Sequence, residues 1–174
     1  MKRTALLATD DGRNSGYGDM HDRALAWAHE QDARVILYDR TSESYFIDPY
    51  SSGPWTADVE TGGGRESLLE PDDLELLGRH YLALQVTAAR RGGVDASAYL
   101  ASKPGPHGMA DVVQRFGADV VVLPTTIAQA SFLDRVRGNT LGRFVEALSV
   151  KVMLGDARGL YPASPGEVSG VADT

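Results

Sequence analysis

Short apolar runs alternate with amphipathic stretches along most of the chain. A brief apolar run bounded by turn residues is typical of a buried strand, whereas apolar residues that recur every three or four positions indicate a helix. Strand-like runs occupy residues 4–9, 33–38, 118–123 and 149–154, and residues 94–100 alternate weakly, as a half-exposed strand near a sheet edge would. A strand, a helix and a strand joined this closely form a right-handed parallel crossover. The pattern therefore predicts an α/β domain: a three-layer α/β/α sandwich around a five-stranded parallel sheet.

Four helices are expected between these strands. Their core-facing residues are Ala24, Leu25, Trp27 and Ala28 in the first, Leu74, Leu77, Tyr81 and Leu84 in the second, Met109, Val112, Val113 and Phe116 in the third, and Leu141, Phe144, Val145 and Leu148 in the last. The second helix is predicted to begin at Pro71, because proline is favourable at the first helical position. It is expected to reach Arg91, with Gly92 and Gly93 ending it.

Residues 41–70 interrupt this rhythm. The segment combines Ser, Gly and Pro, including three consecutive glycines at 62–64, with four aromatic residues. Because glycine runs lose much entropy on ordering, we expect a mobile surface insertion. The aromatic residues leave open a docked lid or an interface. The chain is thus predicted to form one domain at residues 1–155, with the 41–70 insertion, followed by a flexible tail at residues 156–174.

Composition limits the classes of function. The 174 residues carry a net charge of -7 and no cysteine, which excludes disulfides and thiolate metal sites and disfavours binding to nucleic acid or anionic membranes. No apolar stretch approaches the roughly 20 residues of a membrane helix. The apolar run at the start meets Asp10 and Asp11 where a signal peptide would be cleaved. We therefore expect a cytoplasmic protein with no nucleic-acid or membrane partner.

The residue types that carry catalysis are scattered along the chain. His21, His29, His80 and His107 lack the spacing of metal ligands. Ser15 lacks the sequence of a nucleophile elbow. Since covalent catalysis needs a base beside its nucleophile, we expect neither a catalytic residue nor a metal site.

Three motifs, taken in order, resemble one known family. Residues 6–10, Leu-Leu-Ala-Thr-Asp, resemble its opening strand and Asp, and Gly105-Pro106-His107 stands where the family has a Gly-x-Pro turn. Residues 117–122, Gly-Ala-Asp-Val-Val-Val, are similar to the Gly-Ala-Asp and aliphatic run of its fourth strand. The family is that of the universal stress proteins (UspA-like). The resemblance implies an adenine nucleotide alpha hydrolase-like fold with strand order 3-2-1-4-5, in which the first and fourth strands end side by side at a ligand site.

The nucleotide-binding loop of that family is degenerate in this chain. Nucleotide-binding members follow the fourth strand with glycine, two residues, glycine, nine residues, and a glycine before Ser or Thr. Glycines let the backbone approach phosphates, and the last one opens a helix whose free N–H groups attract anions. Counting back from Gly138, the first two glycine positions are occupied by Thr125 and Ala128. Aligning the strand end instead places them at Pro124 and Ile127, so both glycines are missing either way.

Five residues are the candidates for a nucleotide site: Asp10, Thr125, Gly138, Asn139 and Thr140. The resemblance places Asp10 against adenine and ribose; alternatively, its carboxylate only accepts hydrogen bonds from the following loop. Asn139 either caps the last helix or helps to seat a phosphate, with nearby arginines replacing the lost backbone contacts. Residues 37–40 would line the base through backbone atoms.

Three functions follow from these residues. The first is a nonenzymatic domain of the universal stress type, which acts in stress response through an unknown protein partner and binds ATP weakly or not at all. The second is an ATP- or AMP-binding member of the family. The third, from another class, is a transferase or hydrolase that uses adenine nucleotides, although residues 11–14 are not a recognisable phosphate motif. ATP or AMP is the candidate cofactor, and none is certain.

A homodimer is expected through the last strand, Val150 to Leu154. That strand is predicted to lie at the sheet edge, where its unpaired backbone groups would be exposed. The resemblance points the same way, because universal stress proteins commonly pair these strands antiparallel about a twofold axis.

Overall fold

The computed structural model describes residues 2–9, 15–40, 67–101, 105–129 and 140–163. Its elements, in chain order, are β1 (Thr4–Thr9), α1 (Ser15–Glu30), β2 (Arg34–Asp39), α2 (Pro71–Leu76), α3 (His80–Arg91), β3 (Ala96–Leu100), α4 (Gly105–Phe116), β4 (Val120–Pro124), a 3-10 helix (Thr125–Gln129), α5 (Leu141–Leu148), β5 (Lys151–Asp156) and β6 (Gly159–Pro162). The predictions for residues 41–66 and 164–174 lie outside the described residues.

The strands form a single sheet in the order β3-β2-β1-β4-β5-β6. The first five pair in parallel, which confirms the predicted topology, and β6 adds an antiparallel strand beside β5. Leu6 of the central β1 lies opposite Ile36 of β2 on one side and Val121 of β4 on the other. Right-handed crossovers place α1 to α3 on one face and α4 and α5 on the other, completing the α/β/α sandwich.

Helices on both faces explain why the central strands are apolar throughout. Leu6, Ile36, Val121 and Leu123 are fully buried, as expected of parallel strands covered on both sides. Tyr38 of β2 stacks on a β3 tyrosine, Tyr99, with ring centroids 6.0 Å apart. The core therefore runs continuously from the β3 edge across the sheet.

The predicted second helix is two helices. A turn separates α2 from α3, and Gly78 within it has a φ of 69°, a left-handed conformation that glycine adopts readily. The turn rotates the second helix relative to the first. As a result Leu74 is buried as expected, but Tyr81 and Leu84 are exposed, and the buried face of α3 is formed by Leu82, Ala83, Val86 and Ala89.

Strand β3 lies at the sheet edge, as predicted, but it is not half-exposed. Four of its five residues are buried. Leu69 explains part of this, because its N–H donates to the Ala98 carbonyl at 2.8 Å and its carbonyl accepts from the Ala98 N–H at 3.0 Å. The end of the predicted 41–70 insertion is therefore attached to the sheet.

The predicted start of the flexible tail is wrong, because residues 156–163 belong to the sheet. The Asp156 side chain accepts hydrogen bonds from the backbone N–H groups of Arg158, at 2.8 Å, and Gly159, at 3.2 Å. This closes a tight turn and returns the chain as β6. The guanidinium of Arg23 donates to the Ala157 carbonyl at 2.9 Å, which ties the turn to α1.

Strand β5 consequently does not lie at the sheet edge. It pairs with β4 on one side and with β6 on the other. The expectation that Val150 to Leu154 lies at the sheet edge, on which the predicted dimer contact rested, is therefore wrong. The homodimer itself stays a prediction. Packing against α1 is close here: a Cβ at Gly155 would lie 2.4 Å from Met20 Cγ and 2.9 Å from Leu160 Cδ2.

Candidate functional site

The candidate site lies at the carboxyl edge of the sheet, where β1, β2 and β4 end. Ligands bind to doubly wound sheets where the strand order reverses, outside the carboxyl ends of the strands. Thr9 ends β1, with Asp39 opposite it at the end of β2. Pro124 ends β4 on the other side of β1. The prediction that the first and fourth strands end side by side is confirmed.

Arg40 extends across this edge. Its backbone N–H donates to the Thr9 carbonyl at 2.9 Å, so the residue is fixed beside the end of β1. The guanidinium carbon lies 5.3 Å from the centroid of the Phe144 ring of α5, within the range of a cation–π interaction. On the other side, Nη1 donates to the Tyr17 hydroxyl of α1 at 3.5 Å. Arg40 thus bridges two helices that cover opposite faces of the sheet.

Two further polar contacts lie beneath this edge, on the face covered by α1 to α3. The Asp39 carboxylate is 4% exposed and lies 3.7 Å from Nη1 of Arg79, in the turn before α3. A buried carboxylate of this kind needs a charged partner, and Arg79 supplies it. The fully buried Thr9 hydroxyl donates to Gln85 Oε1 at 2.9 Å. Both side chains at the strand ends therefore have partners within the protein.

The structure describes two of the five predicted site residues. Thr125 begins the 3-10 helix directly after β4 and is half-buried. Thr140 is the N-cap residue of α5, and its side chain makes no capping hydrogen bond. Asp10, Gly138 and Asn139 lie outside the described residues, as does the prediction that Asn139 caps this helix.

Thr140 and Arg40 are brought to the same region by α5. The Thr140 carbonyl accepts from the Phe144 N–H at 3.1 Å, within the first turn of the helix. The Phe144 ring is the surface on which the Arg40 guanidinium rests. The first turn of α5, whose leading N–H groups have no partner within the helix itself, therefore lies close to a positive charge, and both features attract anions.

The sequence did not predict that the side chain of Arg40 would be part of the site. Residues 37–40 are expected to line a base through backbone atoms, and the polar pair Asp39-Arg40 after an apolar run was the available signal. A strand ending in two charged residues places them at the ligand edge of such a sheet. What the sequence does not reveal is that Phe144, more than 100 residues away, meets the guanidinium.

His21 is the one histidine of the described residues that is buried, on the inner side of α1. Burial lowers the pKa of His21 below the ordinary histidine value, while a hydrogen bond to the backbone of Ala8 and the charge of Asp22 act in the opposite direction. No group among the described residues hydrogen-bonds to His21 Nε2. Burial thus favours the neutral form of this ring, which contacts β1 at Ala8.

Within the described ranges, no three His, Cys, Asp or Glu side chains are grouped so that they could hold a metal ion. None of the helices in that part of the chain has both the length and the hydrophobicity needed to cross a bilayer.

Comparison with known proteins identifies the fold. The chain matches no family model. It matches no curated protein. Among solved structures, a universal stress protein in complex with cAMP is similar at a TM-score of 0.55 and 13% identity, over 90% of this chain and 98% of that one. A universal stress protein family member from Burkholderia pseudomallei is similar at 0.55 and 17%, over 88% and 96%.

A universal stress protein from Archaeoglobus fulgidus in complex with dAMP is similar at a TM-score of 0.50 and 16% identity, over 88% of this chain and 98% of that one. Together with the strand order and the helices on both faces, these likenesses define the class. The chain has the universal stress protein fold, which confirms the resemblance at the level of architecture.

Proposed function

We propose that this protein is a nonenzymatic domain of the universal stress type, located in the cytoplasm, that acts through protein contacts and binds ATP weakly or not at all. The observation that carries the proposal is the position of Arg40. Its guanidinium is held between Phe144 and Tyr17, and its backbone N–H is hydrogen-bonded to the end of β1, where the strand order reverses.

A nucleotide entering this edge would meet a side chain that already has contacts. Displacing Arg40 would forfeit its contact with Phe144, and a cation–π contact contributes about 0.5–2 kcal/mol depending on its exposure. The loop after β4 offers little in return. Pro124 has no N–H group, and Thr125 and Ala128 carry side chains where the family's glycines allow phosphate to approach the backbone.

The nonenzymatic part of the proposal is supported by the pairing of the polar groups at this edge. Asp39 contacts Arg79, and Thr9 donates to Gln85. A general base must reach the proton of a substrate, and a nucleophile needs a base beside it. The carboxylate and the hydroxyl at these strand ends are engaged in holding the strands and helices together.

Calorimetric titration of the full chain with ATP and with AMP tests the proposal. We expect no saturable heat, corresponding to a Kd above about 1 mM. Mass spectrometry of the purified protein after denaturation should release no adenine nucleotide. A Kd of micromolar order, or nucleotide released in stoichiometric amount, would show that the proposal is wrong.

A second candidate function, binding of AMP or ATP, is favoured by one specific observation. The N-cap residue of α5, Thr140, makes no side-chain capping hydrogen bond, and the start of this helix and the nearby Arg40 guanidinium both attract an anion. Two of the similar structures were solved with cAMP and with dAMP. The variant Arg40→Met keeps an unbranched apolar stem and removes the charged guanidinium. If this second function holds, wild type binds AMP and Arg40→Met weakens that binding by about tenfold or more.

A transferase or hydrolase that uses adenine nucleotides is the third candidate. Incubation of the protein with ATP and Mg²⁺ separates it from the other two, because only an enzyme releases ADP, AMP or phosphate over many turnovers. We expect no turnover above that of a sample with heat-denatured protein.

A further inference from the structure

The described residues expose four large hydrophobic side chains, and three of them lie together in sequence on α2 and α3. These three are Leu76, Tyr81 and Leu84; the fourth is Tyr161, on β6. A single exposed apolar side chain is ordinary, but Tyr81 and Leu84 lie one turn apart on the same side of α3, and contiguous apolar surface marks an interaction site. The exposed side of α3 is therefore a candidate docking surface.

The exposed side of α3 carries a symmetric pattern. Tyr81, Leu84, Ala88 and Arg91 are all exposed. Their spacing of three, four and three residues is that of a helical seam that packs against another helix. We call these four residues the α3 seam. Because the spacing reads the same in both directions, the seam can meet an antiparallel copy of itself about a twofold axis that crosses the seam midway between Leu84 and Ala88.

Such a pairing matches the side chains as well as the spacing. It sets Leu84 opposite Ala88 of the partner subunit, so a large side chain faces a small one. It sets Tyr81 opposite Arg91 of the partner subunit, where a guanidinium can lie over the tyrosine ring. Because the pairing has twofold symmetry, each of these two contacts occurs twice in the dimer.

The charges near the seam are compatible with this pairing. Arg90 contacts Glu70 at 2.6 Å within the same chain. Arg91, its neighbour, makes no ion pair within the described residues and is exposed on the seam. The start of α2 is acidic, with Asp72 and Asp73 in its first turn. Because Glu70 contacts Arg90, this acidic start lies beside the basic end of its own α3, and Tyr81 of the partner subunit is the group that faces Arg91 in this pairing.

We propose that a second copy of this chain docks on the α3 seam and forms an antiparallel α3–α3 homodimer. The inference is independent of whether a nucleotide binds, because the seam lies on the outer side of α3 and the candidate site lies at the carboxyl edge of the sheet. Since four side chains bury little area, we expect a weak dimer with a Kd of order 10–100 µM.

Sedimentation velocity of the full chain, from about 5 to about 500 µM, tests the proposal. Wild type should shift from monomer to dimer across this range. Leu84→Glu should weaken association by at least about tenfold, because it places a charge at the centre of the contact. Tyr81→Arg should weaken it too, because it faces Arg91 of the partner subunit with a like charge.

Exchanging Tyr81 and Arg91 tests the predicted contact between them more directly. The double variant Tyr81→Arg with Arg91→Tyr restores one arginine opposite one tyrosine and should recover association toward that of wild type. Tyr161→Arg is the matched control, because it changes an exposed tyrosine in the same way on β6, and it should leave association unchanged. Circular dichroism verifies that each variant is folded.

Three outcomes would overturn the proposal. The first is a wild-type monomer at every concentration. The second is a dimer that persists in both Leu84→Glu and Tyr81→Arg. Loss of the dimer in Tyr161→Arg would count equally against the proposal, because it would assign the contact to β6. The third is a monomer whose Leu84→Glu variant is cleaved faster within residues 41–66, which would assign the seam to that segment of the same chain.

Discussion

At the scale of single residues, the contact between Arg40 and Phe144 can be measured directly. We expect the variants Arg40→Met and Phe144→Leu, and their combination, to show a coupling energy of about 0.5–2 kcal/mol in urea unfolding. Phe144 is fully buried, so Phe144→Leu alone also loses packing, and the cycle removes that contribution. Additive effects, with a coupling near zero, would mean that Arg40 is not held by the ring.

His21 gives a second prediction at this scale. Burial lowers the pKa of the folded-state ring, so the unfolded chain binds more protons as the pH falls through about 6.5. Stability from this group is present above that pH and is lost as the pH falls toward the folded-state pKa, with a slope of at most about 1.4 kcal/mol per pH unit.

A glutamine variant isolates this effect. His21→Gln should flatten the dependence of the unfolding free energy on pH between about 7 and 5 relative to wild type. Equal slopes in wild type and His21→Gln would contradict the prediction.

At the scale of elements, the junction of α1, β5 and β6 depends on the absence of a side chain at Gly155. A Cβ there would lie 2.4 Å from Met20 Cγ, and Met20 is fully buried and has little room to move. We expect Gly155→Ala to destabilise the protein by about 1–3 kcal/mol in urea unfolding.

Gly159→Ala is the matched control, since a Cβ at that position would meet its nearest neighbour, the Tyr161 hydroxyl, at an ordinary 3.5 Å. It should cost under about 1 kcal/mol. If the two variants lose stability equally, close packing of α1 on β5 is not what requires glycine at position 155.

The elements also show which sequence patterns were sufficient to predict the helices and strands. The apolar runs at β1, β2 and β4 predict their strands because burial on both faces leaves few polar positions. The break between α2 and α3 is missed because a lone glycine within a helical pattern is often tolerated, whereas Gly78 here adopts a left-handed conformation. Strand β6 is missed because it is four residues long and ends in proline.

At the scale of the whole molecule, the topology follows from the sequence because crossover handedness leaves few arrangements for alternating strands and helices. The position of the candidate site follows from the same topology. The side chains that occupy the site could not be predicted in the same way. Arg40, Phe144 and Tyr17 are distant in sequence and meet only after the layers have packed. The nucleotide and the dimer remain predictions, to be decided by titration and sedimentation.

The turn at Asp156 keeps β6 tethered beside β5 and so affects assembly by mass action. A strand tethered by two residues is present beside β5 at an effective concentration of millimolar order or more, whatever the concentration of the protein. Any separate chain that adds to β5 must first displace β6 and break the contact between Arg23 and Ala157. Dilution and crowding both leave β6 favoured over a separate chain as the strand that pairs with β5. Association must therefore use a surface away from this edge of β5.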